Sequence, residues 1–304
     1  MGLKSINYSG ADELLKAAEQ MKQEIIRAYQ WSQSRSPAQR LPNGSWTQPY
    51  PTSVYTHGVT EGNFVYDIEL GAHQLVPQGI LDPCWPEVTA MINHMEDVAF
   101  LRSGTGDYPS EKNNADWFNL GGFSKFQPYY TRIAHIYAMR DEVKPFIRSY
   151  FNTIPSLLSM ENLCFWEVFN NGCAWNKTHE TGYFLQQSRM MLVFERGDQL
   201  WLGPFVTNHW MKAGMVVAVH NAPTKFGKVS YKITSAIDKG YIEAVIEPPS
   251  REMPKWLVIR LRHPEQRQMK SVTINGKNYY DFNPEREYIR LKPTAGEIVL
   301  RAEY

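Results

Sequence analysis

The sequence predicts an α+β chain: a helical block to about Arg196, then an all-β block over 200–304. Three observations carry that expectation. Apolar residues recur at helical spacing through the first two thirds of the chain. After Gly197-Asp198 the period drops to two. Gly, Pro and Asn clusters then punctuate the chain at the short intervals of an antiparallel β-sandwich. The expected division is a helical domain over 1–198 and a β-sandwich over 199–304, and 304 residues suffice for two ordinary cores.

The first helix rests on Leu14, Ala18, Met21, Ile25 and Tyr29, which should form a buried stripe opposite Lys16, Glu19, Lys22 and Arg27. Ser9 with Asp12 reads as its capping box. Residues 34–62 hold Pro37, Pro42, Asn43-Gly44, Pro49 and Pro51, which forbid regular structure, while Trp46, Tyr50 and Tyr55 give the stretch something to pack or bind with. Helices are next expected over 64–76 and 86–101. The second has Pro86 in its first turn and Val88, Met91, Ile92, Met95 and Val98 buried. Three more follow over 123–140, 142–158 (carried by Phe146, Ile147, Tyr150, Phe151 and Ile154, with Pro155 expected to kink or end it) and 178–196. Long loops at 103–122 and 159–177 alternate with the tight Arg140-Asp141 connection, as in stacked helical hairpins whose long loops gather at one end.

In the second part Val229, Tyr231 and Ile233 alternate with polar residues, as do Ile242, Ala244 and Ile246. Leu257, Ile259 and Leu261 alternate with Arg260 and Arg262, and Val272 and Ile274 lead into Asn275-Gly276. About eight short strands are expected.

Composition excludes several classes. There are 32 basic and 31 acidic residues, a net charge of +1, and no basic run, so no nucleic-acid partner is expected. No apolar stretch approaches the roughly 20 residues that span a bilayer, so no membrane role is expected. Residues 1–10 lack a signal-peptide pattern, which taken literally implies a cytoplasmic chain. Cys84, Cys164 and Cys173 fit no zinc or redox spacing and read as buried thiols. His73, His94 and His135 lack metal-ligand spacing, so no metal is expected. Without a phosphate loop, nucleophile elbow or dinucleotide fingerprint, no cofactor is expected either. The bias that remains is aromatic, with 9 Trp, 17 Tyr and 14 Phe. Aromatic faces in loops stack on sugars, and they also fill cores.

Phe165-Trp166-Glu167, followed by Asn176-Lys177-Thr178-His179-Glu180-Thr181-Gly182-Tyr183 opening the last helix, resembles the late segment of α-L-rhamnosidase-like glycosidases, members of the six-hairpin (α/α)-toroid superfamily. Leu200-Trp201-Leu202-Gly203-Pro204-Phe205, Trp210, Gly214-Met215-Val216, Arg260-Leu261-Arg262-His263-Pro264 and Ile274-Asn275-Gly276-Lys277 are similar to the strand entry and sandwich strands that follow the toroid. The resemblance implies helical hairpins of a partial toroid, about six helices where a closed toroid has twelve, followed by the sandwich. It also implies a glycoside hydrolase acting on plant or host glycan. The family's general-acid segment has no counterpart here. A missing N-terminal region or a second chain completing the barrel is the partner this implies, besides the carbohydrate substrate. Family members are generally exported, which stands against the cytoplasmic reading.

Glycoside hydrolysis needs two carboxyl groups across the scissile bond. Glu167 is the expected general base, because Trp166 and Phe165 would desolvate one side of it and raise its basicity. A loop carboxylate bonded to a backbone N–H or an Arg is the plainer account. Glu61 and Asp116 are the other catalytic candidates; helix capping explains the first, an ordinary solvated loop the second. His179 and Glu180 could bind sugar hydroxyls or position Glu167, although a first-turn Glu is also common for dipole reasons. Trp166, Trp175, Trp46, His57 and Trp117 complete the expected substrate-binding set, against local packing of long loops. Two alternatives stay open: a toroid-type polysaccharide lyase using Tyr, His or Asn groups, and a non-catalytic glycan-binding or assembly remnant.

Overall fold

Apolar spacing decides where the helices of this chain form, and backbone geometry decides where they stop. The computed structural model describes residues 6–36, 38–40, 44, 46–48, 72–94, 132–166 and 176–304. The architecture is α+β, with helices first and two sheets at the C-terminus. The chain divides into two units, Met1–Phe184 and Leu185–Tyr304, with the division falling inside the last helix.

In the first unit, α1 (Ala11–Gln33) departs from its expected burial. Its N-cap is Gly10, without a side-chain cap bond, so the Ser9/Asp12 capping box does not form. Asp12 and Glu13 in the first turn instead complement the helix dipole. Leu14 and Met21 are 50% and 62% exposed, while Ala11, Ile26 and Ser32 are the buried positions. Periodicity marks a face that can be buried; it does not supply the surface that buries it. A two-stranded ribbon, β1 (Gln39–Arg40) and β2 (Trp46–Thr47), forms inside the stretch expected to be irregular. It is tied to the end of α1 by Gln33 donating to the Gln48 carbonyl (2.8 Å) and Gln48 donating to that of Ser36 (2.9 Å).

Ala72–Leu75 is a 3₁₀ turn where an α-helix over 64–76 is expected; residues 64–71 lie outside the described residues. α2 (Pro86–His94) starts at the proline and buries Val88, Met91 and Ile92 as predicted, while Met95 and Val98 lie outside the described residues. α3 (Ile133–Arg140) is preceded by Arg132 at φ 59, a left-handed conformation that an α-helix cannot pass through, so the helix expected over 123–140 cannot run unbroken through 132; residues 123–131 lie outside the described residues. Its C-cap, Asp141, is also left-handed (φ 60), and the amides of Asp141 and Glu142 return to the carbonyls of Ala138 and Tyr137. Arg140 pins this corner: it pairs with Glu142 at 2.8 Å and donates to the Pro83 carbonyl (2.7 Å) and the Thr89 hydroxyl (3.0 Å). α4 (Val143–Leu157) runs through Pro155, whose missing N–H costs only one bond in the last turn. Phe146 and Tyr150 are buried, but Phe151 is not. Cys84 is exposed and Cys164 half-buried, both free, against the expectation of buried thiols.

α5 (Thr178–Leu192) ends four residues before the expected stop, because Val193–Arg196 forms β3. Val193 and Phe194 favour a pleated surface. Gly197 at φ 58 lets the chain turn in two residues into β4 (Gln199–Leu202). The remaining strands are β5 (Val216–Thr224), β6 (Gly227–Ala236), β7 (Tyr241–Glu247), β8 (Trp256–Arg260), β9 (Ser271–Ile274), β10 (Lys277–Tyr279), β11 (Phe282–Asn283), β12 (Tyr288–Leu291) and β13 (Ile298–Glu303). They form a six-stranded sheet, β10-β9-β13-β7-β6-β5, and a five-stranded sheet, β11-β12-β8-β4-β3. Pairing is antiparallel except between β4 and β8, which run parallel with Leu200 opposite Leu257. The two sheets share one core. Val229, Tyr231, Ile233, Ile242, Ala244 and Ile246 from one meet Leu200, Leu202, Leu257, Ile259, Ile289 and Leu291 from the other. Asn275 and Gly276, at φ 48 and 77, make the two-residue β9–β10 turn that their sequence predicts.

One expectation for the strands fails. Arg260 and Arg262 alternate with the core residues, yet both are buried. Arg260 donates to the carbonyls of Pro204 (2.6 Å) and Arg286 (3.2 Å) and lies 5.3 Å from the Trp201 ring centroid; Arg262 pairs with Glu287 at 2.8 Å. Charge persists inside because its donors meet carbonyls and a carboxylate supplied by neighbouring loops.

Candidate functional site

The segment that carries the glycosidase resemblance leaves α4 and returns at α5. Leu158 and Phe165 form an antiparallel bridge. The chain between them folds back on itself, with Ser159 N–H donating to the Cys164 carbonyl (2.8 Å) and Trp166 N–H to that of Leu157 (2.9 Å). Leu163 supports the reversal at φ 57. Phe165 then accepts from Lys177 N–H at 3.1 Å, so the first residues of the loop and the entry to α5 are joined by a main-chain bond. The neck of the 166–177 segment is closed.

Below this neck lies a small aromatic cluster. Leu157 and Phe165 are buried at its centre, with Leu158, Trp166, Tyr183 and Phe184 packed against them. Phe184 stacks on Tyr150 at 5.6 Å and meets Phe165 at 4.8 Å. Arg132 reaches Tyr183, donating to its hydroxyl at 2.7 Å with the guanidinium carbon 4.3 Å from the ring centroid. The left-handed backbone at Arg132 is what starts α3 beside this arginine.

Two titratable groups stand out. Glu180, in the first turn of α5, is fully enclosed, and His179 Nε2 lies 3.4 Å from its Oε1 while the imidazole remains about one third exposed. A carboxylate at that depth depends on its neighbours for the hydration it has lost, and the first-turn position adds the helix dipole. His135 on α3 is held at a pKa of about 4, first by burial and then by the adjacent Arg132 charge. It is therefore a neutral imidazole near pH 7.

Of the predicted site residues, Trp166, His179 and Glu180 fall on one continuous structural feature, the neck and the turn that follows it. Trp46 lies on the β1–β2 ribbon, 68% exposed, and is not among the residues packed on the aromatic cluster. Glu167, Glu61, Asp116, Trp117, Trp175 and His57 lie outside the described residues. Arg132, His135 and Tyr183 are given no site role by the sequence. Tyr183 stands within the quoted motif and could have been found there; a left-handed arginine leaves no sequence signal. Among the described residues no group of His, Cys, Asp and Glu could hold a metal ion, and no helix is long and apolar enough to cross a membrane.

No family model matches the chain, and no curated protein matches it in sequence. The solved structures to which it is similar include three glycoside hydrolases. One described only as a glycoside hydrolase shares 9% identity over 79% of this chain and 45% of its own, at a TM-score of 0.39. A GH127 β-L-arabinofuranosidase from Geobacillus stearothermophilus T6 shares 14% over 79% of this chain and 41% of its own (TM-score 0.34). An α-L-rhamnosidase from Dictyoglumus thermophilum shares 7% over 77% and 38% (TM-score 0.26). The chain spans less than half the length of each.

Proposed function

We propose that this chain forms the C-terminal part of a glycoside hydrolase, a partial (α/α) toroid with its sandwich, that cleaves a glycosidic bond in plant or host glycan with Glu167 as general base. The observation that supports this reading best is the closed neck. The Phe165 carbonyl and the Lys177 amide fasten the two ends of the segment that holds the aromatic-Trp-Glu motif, and a catalytic carboxylate works only when its backbone is held. Trp166, anchored through its own amide to Leu157, immediately precedes Glu167.

In this reading Glu167 takes a proton from water as the water attacks the anomeric carbon, while an acid protonates the departing oxygen. Glu61 and Asp116 are the chain's own candidates for that acid; a segment or second chain outside this sequence is the other source. His179 is the exposed member of the His179–Glu180 pair. It offers the hydrogen bond to a sugar hydroxyl, and the enclosed Glu180 orients the imidazole. Arg132 and Tyr183 brace the first turns of α5 behind them.

The test is a panel of aryl glycosides assayed with the chain and with Glu167→Gln. Loss of a general base lowers turnover by about 10²–10⁴-fold. Hydrolysis that is unchanged by the substitution ends the assignment. An unsaturated, ultraviolet-absorbing product from a uronic-acid polymer would replace hydrolysis with the lyase chemistry.

A further inference from the structure

The sandwich unit carries a groove of its own. Its volume is about 570 Å³, within the range of small-molecule clefts. The start of β8, the β9–β10 hairpin and the end of β12 supply its walls, with Trp256, Lys277, Asn278, Tyr279, Asp281 and Lys292 among the lining side chains.

Its two aromatic rings are fixed in advance of any ligand. The Tyr279 hydroxyl donates to the Arg290 carbonyl at 2.9 Å. The Arg290 guanidinium carbon lies 4.7 Å from the centroid of the Trp256 ring, and Asp281 grips the same guanidinium at 3.1 and 3.3 Å. Holding rings in place beforehand lowers the ordering cost of binding. That pairing also uses up the one carboxylate of the lining. The charges left over are Lys277 and Lys292, both exposed, with the Lys292 ammonium 5.5 Å from the Trp256 ring. Asn278 adds an exposed amide.

Each of these features has a counterpart in one ligand class. A pyranose presents a C–H face to aromatic rings and hydroxyls to an amide, and a uronic acid adds a carboxylate for an ammonium group. We propose that this groove binds an acidic saccharide, a uronic-acid-bearing oligosaccharide, through the sandwich unit alone. The inference rests on the groove's lining and not on Glu167.

The experiment is titration calorimetry of the full chain with trigalacturonate and, as the neutral counterpart, xylotriose. Trigalacturonate should bind, and more weakly as salt rises. The double substitution Lys277→Gln/Lys292→Gln, at two exposed positions, should weaken binding about tenfold. Trp256→Ala should abolish it with the circular dichroism spectrum retained. No trigalacturonate binding, equal binding of xylotriose, or an unchanged affinity in the double lysine variant would each overturn the proposal. Because Glu167 is not among the residues that line the groove and the lysine pair lies outside the 166–177 loop, failure of one reading leaves the other standing.

Discussion

Acid should destabilise this chain through the imidazole of His135 on α3; His263, whose pKa burial also lowers, is common to the two proteins compared below. His135 has a folded-state pKa of about 4, lowered by burial and by the Arg132 charge, whereas in the unfolded chain it titrates near 6.5. Between those values the unfolded state binds a proton that the folded state refuses, so stability falls as pH falls. His135 costs nothing above about pH 6.5. Its full penalty is reached below about pH 4, and at ~1.4 kcal/mol per pH unit that penalty is about 3 kcal/mol. Against the usual 5–15 kcal/mol of a folded domain this is a large fraction. The measurement is urea unfolding followed by far-ultraviolet circular dichroism, in steps from about pH 7 to about pH 4.5, on the parent chain and on His135→Gln. Carboxylates protonate in both proteins at the acid end, so the readout is the difference between the two profiles. Whatever stability His135→Gln has near neutrality, its profile should be flatter by about 2 to 3 kcal/mol across the range. Two parallel profiles would refute the reasoning.

Two further substitutions probe the sandwich. Arg260→Leu removes the donors that meet the Pro204 and Arg286 carbonyls and should lower the unfolding free energy by about 3 kcal/mol, read from urea midpoints; a change within about 0.5 kcal/mol would contradict the role given to those bonds. Gly203 stands at φ 57, and an added Cβ would sit 3.4 Å from Ile233 Cδ1, whereas Gly197, at φ 58, faces open space. The Cβ at Gly203 meets only ordinary van der Waals contacts, so both alanine variants should lose about 1 kcal/mol to the left-handed backbone and to a similar extent; a loss at Gly203 alone beyond about 2 kcal/mol, measured by thermal unfolding, would contradict this.

The sandwich was the readable part of this fold because its signals are local. Alternation at Val229, Tyr231 and Ile233 and the Asn275-Gly276 pair each specify structure within a few residues, and the structure keeps them. Strands such as β11, two residues long, carry too little pattern to be seen. The helix ends were less legible. Arg132 and Asp141 take left-handed conformations that neither residue type announces. Val193–Arg196 continues an apolar spacing compatible with helix, and only its partner β4 makes it a strand. Burial was least legible where it depends on distant surfaces: Met21 stays exposed on a helix whose period predicts burial, and Arg260 is enclosed on a strand whose alternation predicts exposure. For the candidate site, the quoted motif brackets the neck at Phe165 and Lys177, but the main-chain bond that closes it is not predicted from the sequence. The Arg132–Tyr183 contact that supports it joins residues far apart in sequence, so no local pattern encodes it.

The parallel pairing of β4 with β8 has a consequence for how the chain is made. β3 and β4 can close as a hairpin as soon as Gly197 turns the chain. The other edge of β4 has to wait, because β5, β6 and β7 lie between it and β8 and belong to the opposite sheet. During synthesis Leu200 and Leu202 would stand beside an unpaired edge until β8 follows, the kind of interval in which strand edges recruit the wrong neighbour. The central seam of the five-stranded sheet therefore forms late, and conditions that slow β8 should show up first as aggregation of nascent chain, before any loss of stability in the finished fold.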